Sequence, residues 1–233
     1  MTPTPTDCHR ERQSLLRGLI SDDIAAIARD VDQEQPAAHP VELAGLSPRA
    51  VEKRRREFTA GRAAVKTALI ELGHPPDPVP VGPDRAPIWP RGVTGSITHT
   101  KGFAAAIVAK TSVARALGLD AERATPLKSA LHSEILSPSE HDWTREQADP
   151  DLMAKLIFSA KEAAYKAQFT LSGRYFGFSG METRWSLASD TPNSGAFTAT
   201  FTRDAAPFTM GVTLSGRFVI GAGLILTFVE LRG

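Results

Sequence analysis

Hydrophobic and polar positions in the first half of the chain predict a tail, one long helix and then several strands. Residues Met1–Gln13 are polar and charged and predict a loose tail. Residues 47–76 predict a helix that Ser47 caps and that Gly73, followed by two prolines, ends. A passage rich in proline and glycine follows at 75–92. The strand-like runs after it are 95–99, 102–110 and 116–122.

The second half repeats this order of elements. A helical pattern from about Leu152 to Phe169 precedes further strand-like segments. Those segments are 183–188, 196–202, 208–214 and 217–231. A helix followed by strands, occurring twice, predicts an α+β fold of two similar halves, 1–118 and 119–233.

Composition narrows the class of protein without indicating a partner. Of the 233 residues, 42% are hydrophobic and 23% are charged, which is typical of a globular protein. The net charge of +1 favours no class of partner. The single cysteine, Cys8, cannot form an internal disulfide, which indicates a reducing compartment. Neither a secretion signal nor a membrane-spanning run is evident, so we expect a cytoplasmic protein.

Two acidic residues in the third strand-like run are candidate metal ligands. On a strand, Gly118, Asp120 and Glu122 share one face, with the two carboxylates about 6.6 Å apart. A third carboxylate over them would complete an all-oxygen site suited to Mg²⁺. An isolated D-x-E is more often the solvated face of an edge strand, so this pair is weak evidence by itself.

The second predicted helix carries a glutamate where apolar residues are expected. Phe158, Glu162 and Phe169 lie near one side of the helix, and Lys166 lies one turn beyond Glu162. The simplest interpretation is an exposed Glu162–Lys166 ion pair, which would stabilise the helix by about 0.2–0.5 kcal/mol. A glutamate on an apolar stripe is costly, however, unless it is paired or binds a metal. Lys161, about 100° round the helix, could flank a bound phosphate together with Lys166.

A row of basic residues on the first helix is the other candidate. Arg54, Phe58, Arg62 and Lys66 recur every four residues along the helix. A solvated helix face is the usual interpretation of such a run, but fixed guanidinium groups also suit a phosphate. His99, at the end of a strand-like run, is by itself more often a packing residue. Together, these basic groups and three carboxylates suggest Mg²⁺ and a polyphosphate.

Four segments in this order resemble the 4′-phosphopantetheinyl transferases. The similar branch is the monomeric one that serves siderophore, polyketide and nonribosomal-peptide synthetases. The segments extend over roughly half of the chain, and the second and fourth are the most specific. They are 54-RRREFTAGRAA-64, 87-PIWPRGVTGSITHTKG-102, 119-LDAE-122 and 158-FSAKEAAYK-166.

The resemblance implies both a fold and a reaction. The fold would have two pseudo-symmetric halves, each a small, mainly antiparallel sheet packed with helices, with coenzyme A (CoA) in the cleft between them. The phosphopantetheine arm of CoA would pass to a serine of an apo acyl or peptidyl carrier protein domain, leaving adenosine 3′,5′-bisphosphate. A monomer is expected, with neither nucleic acid nor membrane as a partner.

The resemblance also implies roles for the acidic residues and lysines. Asp120, Glu122 and Glu162 would hold Mg²⁺, for which Mn²⁺ is a possible substitute, against the CoA pyrophosphate. Glu162 would also act as general base toward the serine. Lys161 would neutralise or protonate the leaving phosphate, and Lys166 would hold the pyrophosphate.

The remaining implied contacts involve the rest of CoA. Arg54 and Arg62 match positions that bind the 3′-phosphate. His99 matches a phosphate-contacting histidine, Thr98 before it is a further candidate for binding CoA, and Arg85 lies near a basic position that contacts the adenosine.

Two other functions are compatible with the same residues. A Mg²⁺-dependent nuclease would use the carboxylates for catalysis and the arginine row for DNA, but few aromatic residues interleave with that row. A non-catalytic nucleotide-binding or scaffold protein would bind CoA or a nucleotide without modifying any carrier.

Overall fold

Groups of helices and groups of strands follow one another along the chain in a computed structural model that describes residues 5–188 and 191–233. The chain divides into two units, Met1–Arg115 with Arg232–Gly233, and Ala116–Leu231, so the boundary precedes a strand rather than cutting it. The first unit contains α1 (Pro5–Leu19), β1 (Ala25–Arg29), α2 (Pro40–Leu43), α3 (Glu52–Glu71), β2 (Val93–Thr100) and β3 (Phe103–Lys110). The second contains β4 (Ala116–Arg123), α4 (His132–Ile135), α5 (Pro138–Arg145), α6 (Pro150–Ser172), β5 (Met181–Ala188), β6 (Thr191–Phe201), β7 (Thr213–Gly221) and β8 (Leu224–Leu231).

The sheet of the first unit has three antiparallel strands in the order β1-β3-β2. Central strand β3 is buried from Phe103 to Ala109. Its small side chains let α3 pack closely, and Ala64 and Ala68 of the helix share a core cluster with Ala106. Edge strand β2 carries His99, which the family resemblance assigns to phosphate binding.

The sheet of the second unit has five antiparallel strands in the order β4-β8-β7-β6-β5. Helix α6 packs on β4 and β8. Its buried face is rich in alanine: Ala160, Ala163, Ala164 and Ala167. The predicted α+β fold of two halves, each an antiparallel sheet packed with helices, is confirmed.

The long helix of the second unit confirms its prediction and extends it at both ends. Asp149 caps α6 by accepting a hydrogen bond from the Leu152 amide at 3.0 Å, and Gly173 ends it with a φ of 59°. Neither α6 nor any other helix in the described ranges is long and apolar enough to cross a membrane.

The predicted start of the first long helix is wrong by about one turn. Ser47 does not cap it, because its carbonyl accepts the Ala50 amide at 2.9 Å in a separate turn. The Arg55 guanidinium donates to the carbonyls of Ala50 and Pro48 and holds that turn in place. Helix α3 therefore begins at Glu52.

The prediction of a loose tail over Met1–Gln13 is also wrong, although Met1–Thr4 lie outside the described residues. Helix α1 is anchored by its last turns, where Leu16 and Leu19 are buried. Gln13 adds a polar anchor: its amide nitrogen donates to the Ala26 carbonyl at 2.9 Å and its oxygen accepts the Ala28 amide at 2.6 Å. The polar first turns are helical because they continue this anchored segment.

Most of the predicted strands are confirmed, but the last two are not. The segment 208–214 is not a strand, since β7 begins only at Thr213. The run 217–231 is not one strand but the end of β7 and all of β8, joined by a turn. Ala222 and Gly223 have positive φ in that turn, a geometry that reverses the chain within two residues.

Candidate active site

Gly118 sets how closely helix α6 approaches strand β4. A Cβ at this position would overlap the carbonyl oxygen of Ala163 and lie 2.8 Å from its carbonyl carbon and 3.0 Å from the Ala167 nitrogen. These are backbone atoms, which cannot turn aside as a side chain can. The missing side chain therefore lets the face of β4 that carries Asp120 lie directly against α6.

Asp120 lies beneath α6 and is only 5% exposed. One carboxylate oxygen accepts from the Ser159 hydroxyl at 2.8 Å, and the other accepts from the Lys166 ammonium at 2.7 Å. Ser159 is in turn 2.9 Å from the Thr227 hydroxyl of the neighbouring strand. The side chain of Asp120 is therefore fixed by α6 and β8 together.

Glu122 follows on the same face of β4 and pairs with another lysine of α6. Lys155 donates to it at 3.2 Å. Burial raises the pKa of Glu122, and the negative charge of Asp120 raises it further, while Lys155 and Lys166 oppose the shift. The carboxylates of Asp120 and Glu122 therefore interact electrostatically, as expected for two residues on the same face of a strand.

Glu162 is half-buried on α6, and its carboxylate interacts electrostatically with Asp120, Glu122 and Lys166. Burial raises the pKa of this carboxyl, and Asp120 raises it again; Lys166 lowers it and Glu122 adds a smaller increase. For Glu122 and Glu162 alike, burial is the larger cause of the raised pKa and the charge of Asp120 is the next.

The donor chemistry of this group fits a hard divalent cation. All three predicted ligands offer carboxylate oxygens, which Mg²⁺ prefers, and their mutual repulsion favours a bound cation. Within residues 5–188 and 191–233, however, no three His, Cys, Asp or Glu side chains converge closely enough to hold a metal ion. Lys155 and Lys166 contact the acidic oxygens of β4 instead. Ligation of one ion by all three carboxylates therefore stays a prediction.

Lys161 lies in a different environment from the one that the sequence led us to expect. Its residue is 3% exposed, and its ammonium contacts Glu140 at 2.7 Å rather than any of the three acidic residues above. Burial lowers the pKa of Lys161, and Glu140 opposes that effect. The structure therefore places Lys166, but not Lys161, at the acidic group.

In the first unit, the structure brings Arg54 and His99 together. A guanidinium nitrogen of Arg54 contacts Nε2 of the imidazole. Nδ1 of His99 lies 3.6 Å from the carboxylate of Glu57, which is itself 3.7 Å from Lys53. Two of the predicted phosphate contacts thus form one basic cluster with a buried glutamate behind them.

Thr98 and Arg85 differ in exposure. Thr98 is 3% exposed, and because side chains alternate along β2 it lies on the opposite face from His99. Arg85 is exposed and has a φ of 67°, in a turn where its amide donates to the Gly82 carbonyl and the Gly82 amide donates to the Ala86 carbonyl. A non-glycine residue in that region is uncommon and is often found at binding sites.

Arg62 lies two turns beyond Arg54 on α3 and is buried, at 6% exposure. The two side chains diverge because the step of eight residues between them turns the helix by about 80° beyond two full turns. In the described part of the chain, Nε and Nη1 of Arg62 are buried and have no hydrogen-bond partner. Arg62 lines a cavity of 130 Å³ with His39 and Lys66, and its pKa is lowered by burial, against the opposing charge of Glu42.

Several residues of these clusters were not found by sequence reasoning. On α6, Lys155 and Ser159 were missed, although they precede Glu162 and Lys166 on the same polar face in steps of four, three and four residues. The capping-box pattern 137-SPSE-140 would have indicated a helix start at α5. No local signal marks Glu57 as the partner of His99, because the two residues are distant in sequence.

Comparison with known proteins shows the family to which the chain belongs. Residues 42–109 match the family described as "4′-phosphopantetheinyl transferase N-terminal domain", and residues 116–221 match the "4′-phosphopantetheinyl transferase superfamily". The chain is 37% identical over 205 residues to 4′-phosphopantetheinyl transferase Npt of Nocardia iowensis, covering 84% of this chain and 90% of that protein.

The alignments with two further relatives also cover most of this chain and most of each relative. The 4′-phosphopantetheinyl transferase Svp of Streptomyces mobaraensis is 40% identical over 82% of this chain and 78% of its own. The 4′-phosphopantetheinyl transferase PptT of Mycobacterium tuberculosis is 34% identical over 94% of this chain and 96% of its own. The chain belongs to the 4′-phosphopantetheinyl transferase superfamily. Membership of this superfamily makes the chain an enzyme, a transferase, and the comparisons support neither the nuclease nor the non-catalytic alternative.

Proposed function

We propose that this transferase moves the 4′-phosphopantetheine arm of CoA to a serine of an apo acyl or peptidyl carrier protein in a Mg²⁺-dependent reaction. The observation that carries the proposal is the group formed by Asp120, Glu122 and Glu162 on β4 and α6, in which burial and the charge of Asp120 both raise the pKa of the two glutamates. We expect the enzyme to act as a cytoplasmic monomer, with no nucleic acid or membrane as a partner.

In the proposed reaction, the serine hydroxyl attacks the phosphorus that carries pantetheine. The bond from that phosphorus to the bridging oxygen breaks, and adenosine 3′,5′-bisphosphate leaves with the electron pair. Glu162 takes the serine proton, a task that suits a half-buried carboxylate with a raised pKa. Mg²⁺ or Mn²⁺ held by the three carboxylates would neutralise the pyrophosphate. Lys166, already 2.7 Å from Asp120, would contact the same pyrophosphate.

The basic groups of the first unit support a role in binding the other end of CoA. Arg54 and His99 already form a pair in which a phosphate could accept from both. Arg62 offers two buried N–H groups without partners, an arrangement that is costly unless an anion or water satisfies them. We assign Arg54 and Arg62 to the 3′-phosphate, which requires the Arg62 side chain to turn toward Arg54 when CoA binds; His99 is assigned to a phosphate of CoA and Arg85 to the adenosine. Thr98, which is buried, would contribute by packing or through its backbone.

Arg54→Ala is expected to raise KM for CoA about 10- to 100-fold, since a charge-assisted hydrogen bond contributes about 1.5–3 kcal/mol. KM for dephospho-CoA, which lacks the 3′-phosphate, should change far less. Steady-state kinetics with both substrates measures the difference. Arg56→Ala, at another exposed arginine of the same helix, is the matched control. Equal effects of Arg54→Ala on the two substrates would contradict the assignment.

The proposed function is tested by incubating the protein with CoA, Mg²⁺ and a panel of apo carrier domains. Intact-mass measurement should show the phosphopantetheine increment on the carrier serine. The increment should disappear with EDTA and return with Mg²⁺ or Mn²⁺. Absence of the increment on fatty-acid, polyketide and peptide-synthetase carriers alike would contradict the proposal, and nicking of plasmid DNA that is independent of CoA would favour the nuclease.

A further inference from the structure

The ammonium of Lys161 has no hydrogen-bond donor left for a substrate. Nζ donates to the Ile135 carbonyl at 2.7 Å, to the Glu140 carboxylate at 2.7 Å and to the Phe178 carbonyl at 3.2 Å. A lysine ammonium has three donors, so these contacts use all of them. With its side chain 3% exposed, Lys161 would have to leave a saturated buried site to reach a phosphate.

Glu140 is saturated in the same way. One carboxylate oxygen accepts from the amide and the hydroxyl of Thr183, both at 2.7 Å. The other accepts from the Ser137 amide and from Lys161, both again at 2.7 Å. The side chain is 1% exposed, so four acceptor positions of a buried carboxylate are filled by protein groups.

This pair joins several segments of the second unit to α6. Ser137 and Ile135 belong to the segment that leads into α5, Thr183 belongs to β5, and Phe178 precedes that strand. Glu162 is the next residue of the helix. Rotation or sliding of the helix at Lys161 would break the ion pair, so the pair restrains the backbone next to Glu162.

We infer that Glu140 is a positioning residue for phosphopantetheine transfer, and that Lys161 acts through Glu140 to hold Glu162 in place rather than on the leaving phosphate. This inference rests on the proposed function. It reassigns Lys161 and adds a residue that the sequence motifs did not single out.

The test compares Lys161→Met, Glu140→Gln and the double variant with the wild-type protein. Both single variants should lower the single-turnover transfer rate about tenfold or more, because a small displacement of a catalytic group is enough for such a loss. The double variant should be no slower than the slower single variant, since both substitutions remove one interaction. The Kd for CoA, measured by calorimetry without carrier, should change by less than about threefold, because neither side chain contacts CoA.

A matched control variant separates the proposed positioning effect on transfer from a general loss of stability. Ile225→Val alters a fully buried residue of β8 that packs with Leu156 of α6. All variants are assayed well below their melting temperatures. If Ile225→Val slows transfer as much as Glu140→Gln at an equal loss of Tm, the positioning role is overturned. If the single variants do not fold, the uncharged double variant carries the test, because it leaves no lone buried charge; a wild-type transfer rate in it would overturn the inference.

A direct role of Lys161 on CoA would give a different pattern. Lys161→Met would then raise the Kd for CoA about tenfold or more, as expected for a lost charge-assisted contact, while Glu140→Gln left transfer at the wild-type rate. That result overturns the inference but leaves the proposed function intact. Absence of transfer by the wild-type protein would instead contradict the proposed function itself.

Discussion

Glu162→Gln is expected to lower kcat for carrier modification by about 10²–10⁴-fold, the range found for loss of a general acid or base. The substitution keeps the size of the side chain but removes the charge that would take the serine proton and bind the metal. Measurement of single-turnover transfer by intact mass gives the rate directly. A rate close to that of the wild-type protein would refute both roles of Glu162.

The same variant should not be less stable than the wild-type protein. Because folding raises the pKa of Glu162, the folded protein binds this proton more readily than the unfolded chain does. At pH values above the raised pKa, the ionised carboxylate therefore costs stability, and removing its charge should leave Tm unchanged or higher. Glu134→Gln, at an exposed glutamate of the same unit, is the control for both rate and Tm. A large fall in Tm for Glu162→Gln would mean that lost activity reports misfolding.

Gly118→Ala is expected to destabilise the packing of α6 on β4 strongly. The new Cβ would overlap the Ala163 carbonyl, so helix and strand would have to separate. Overpacking of a core costs about 1–3 kcal/mol and occasionally more, and backbone atoms on the receiving side put this case at the upper end. Urea unfolding followed by circular dichroism measures the change in free energy.

The transfer rate of Gly118→Ala should fall by more than its loss of stability explains, because Asp120 lies on β4 and Glu162 on α6. A displacement of about 1 Å between catalytic groups can cost about 100-fold in rate. Gly177→Ala is the control: its Cβ would meet nothing within 4 Å and its φ is −81°. Wild-type stability of Gly118→Ala would show that α6 can move freely on the sheet.

The features predicted well from the sequence are those that neighbouring residues specify. The helical pattern from about Leu152 to Phe169 predicted the body of α6, because that pattern depends on residues three and four positions apart; the cap at Asp149 and the end at Gly173 were not predicted. The shared face of Asp120 and Glu122 follows from the strand period, and the proximity of Glu162 to Lys166 from the helix period. The segments that resemble a transferase family contain these same residues.

The predictions that failed involve contacts that neighbouring residues do not specify. Met1–Gln13 was predicted as a tail, whereas Gln13 forms hydrogen bonds with strand β1 and continues a helix anchored by Leu16. The run 217–231 is apolar along most of its length and was therefore predicted as one strand. In the structure, a turn at Ala222 divides it between β7 and β8, which pair with each other.

The sequence by itself determined which carboxylates and basic side chains are present, their spacing on helix and strand, and the family to which they point. Only the tertiary structure decided how they are paired. Lys161 and Lys166 are five positions apart on one helix, yet one is buried against Glu140 and the other contacts Asp120. The physical reason is that burial and charge pairing depend on which segments pack against each helix face, and those segments are distant in the chain.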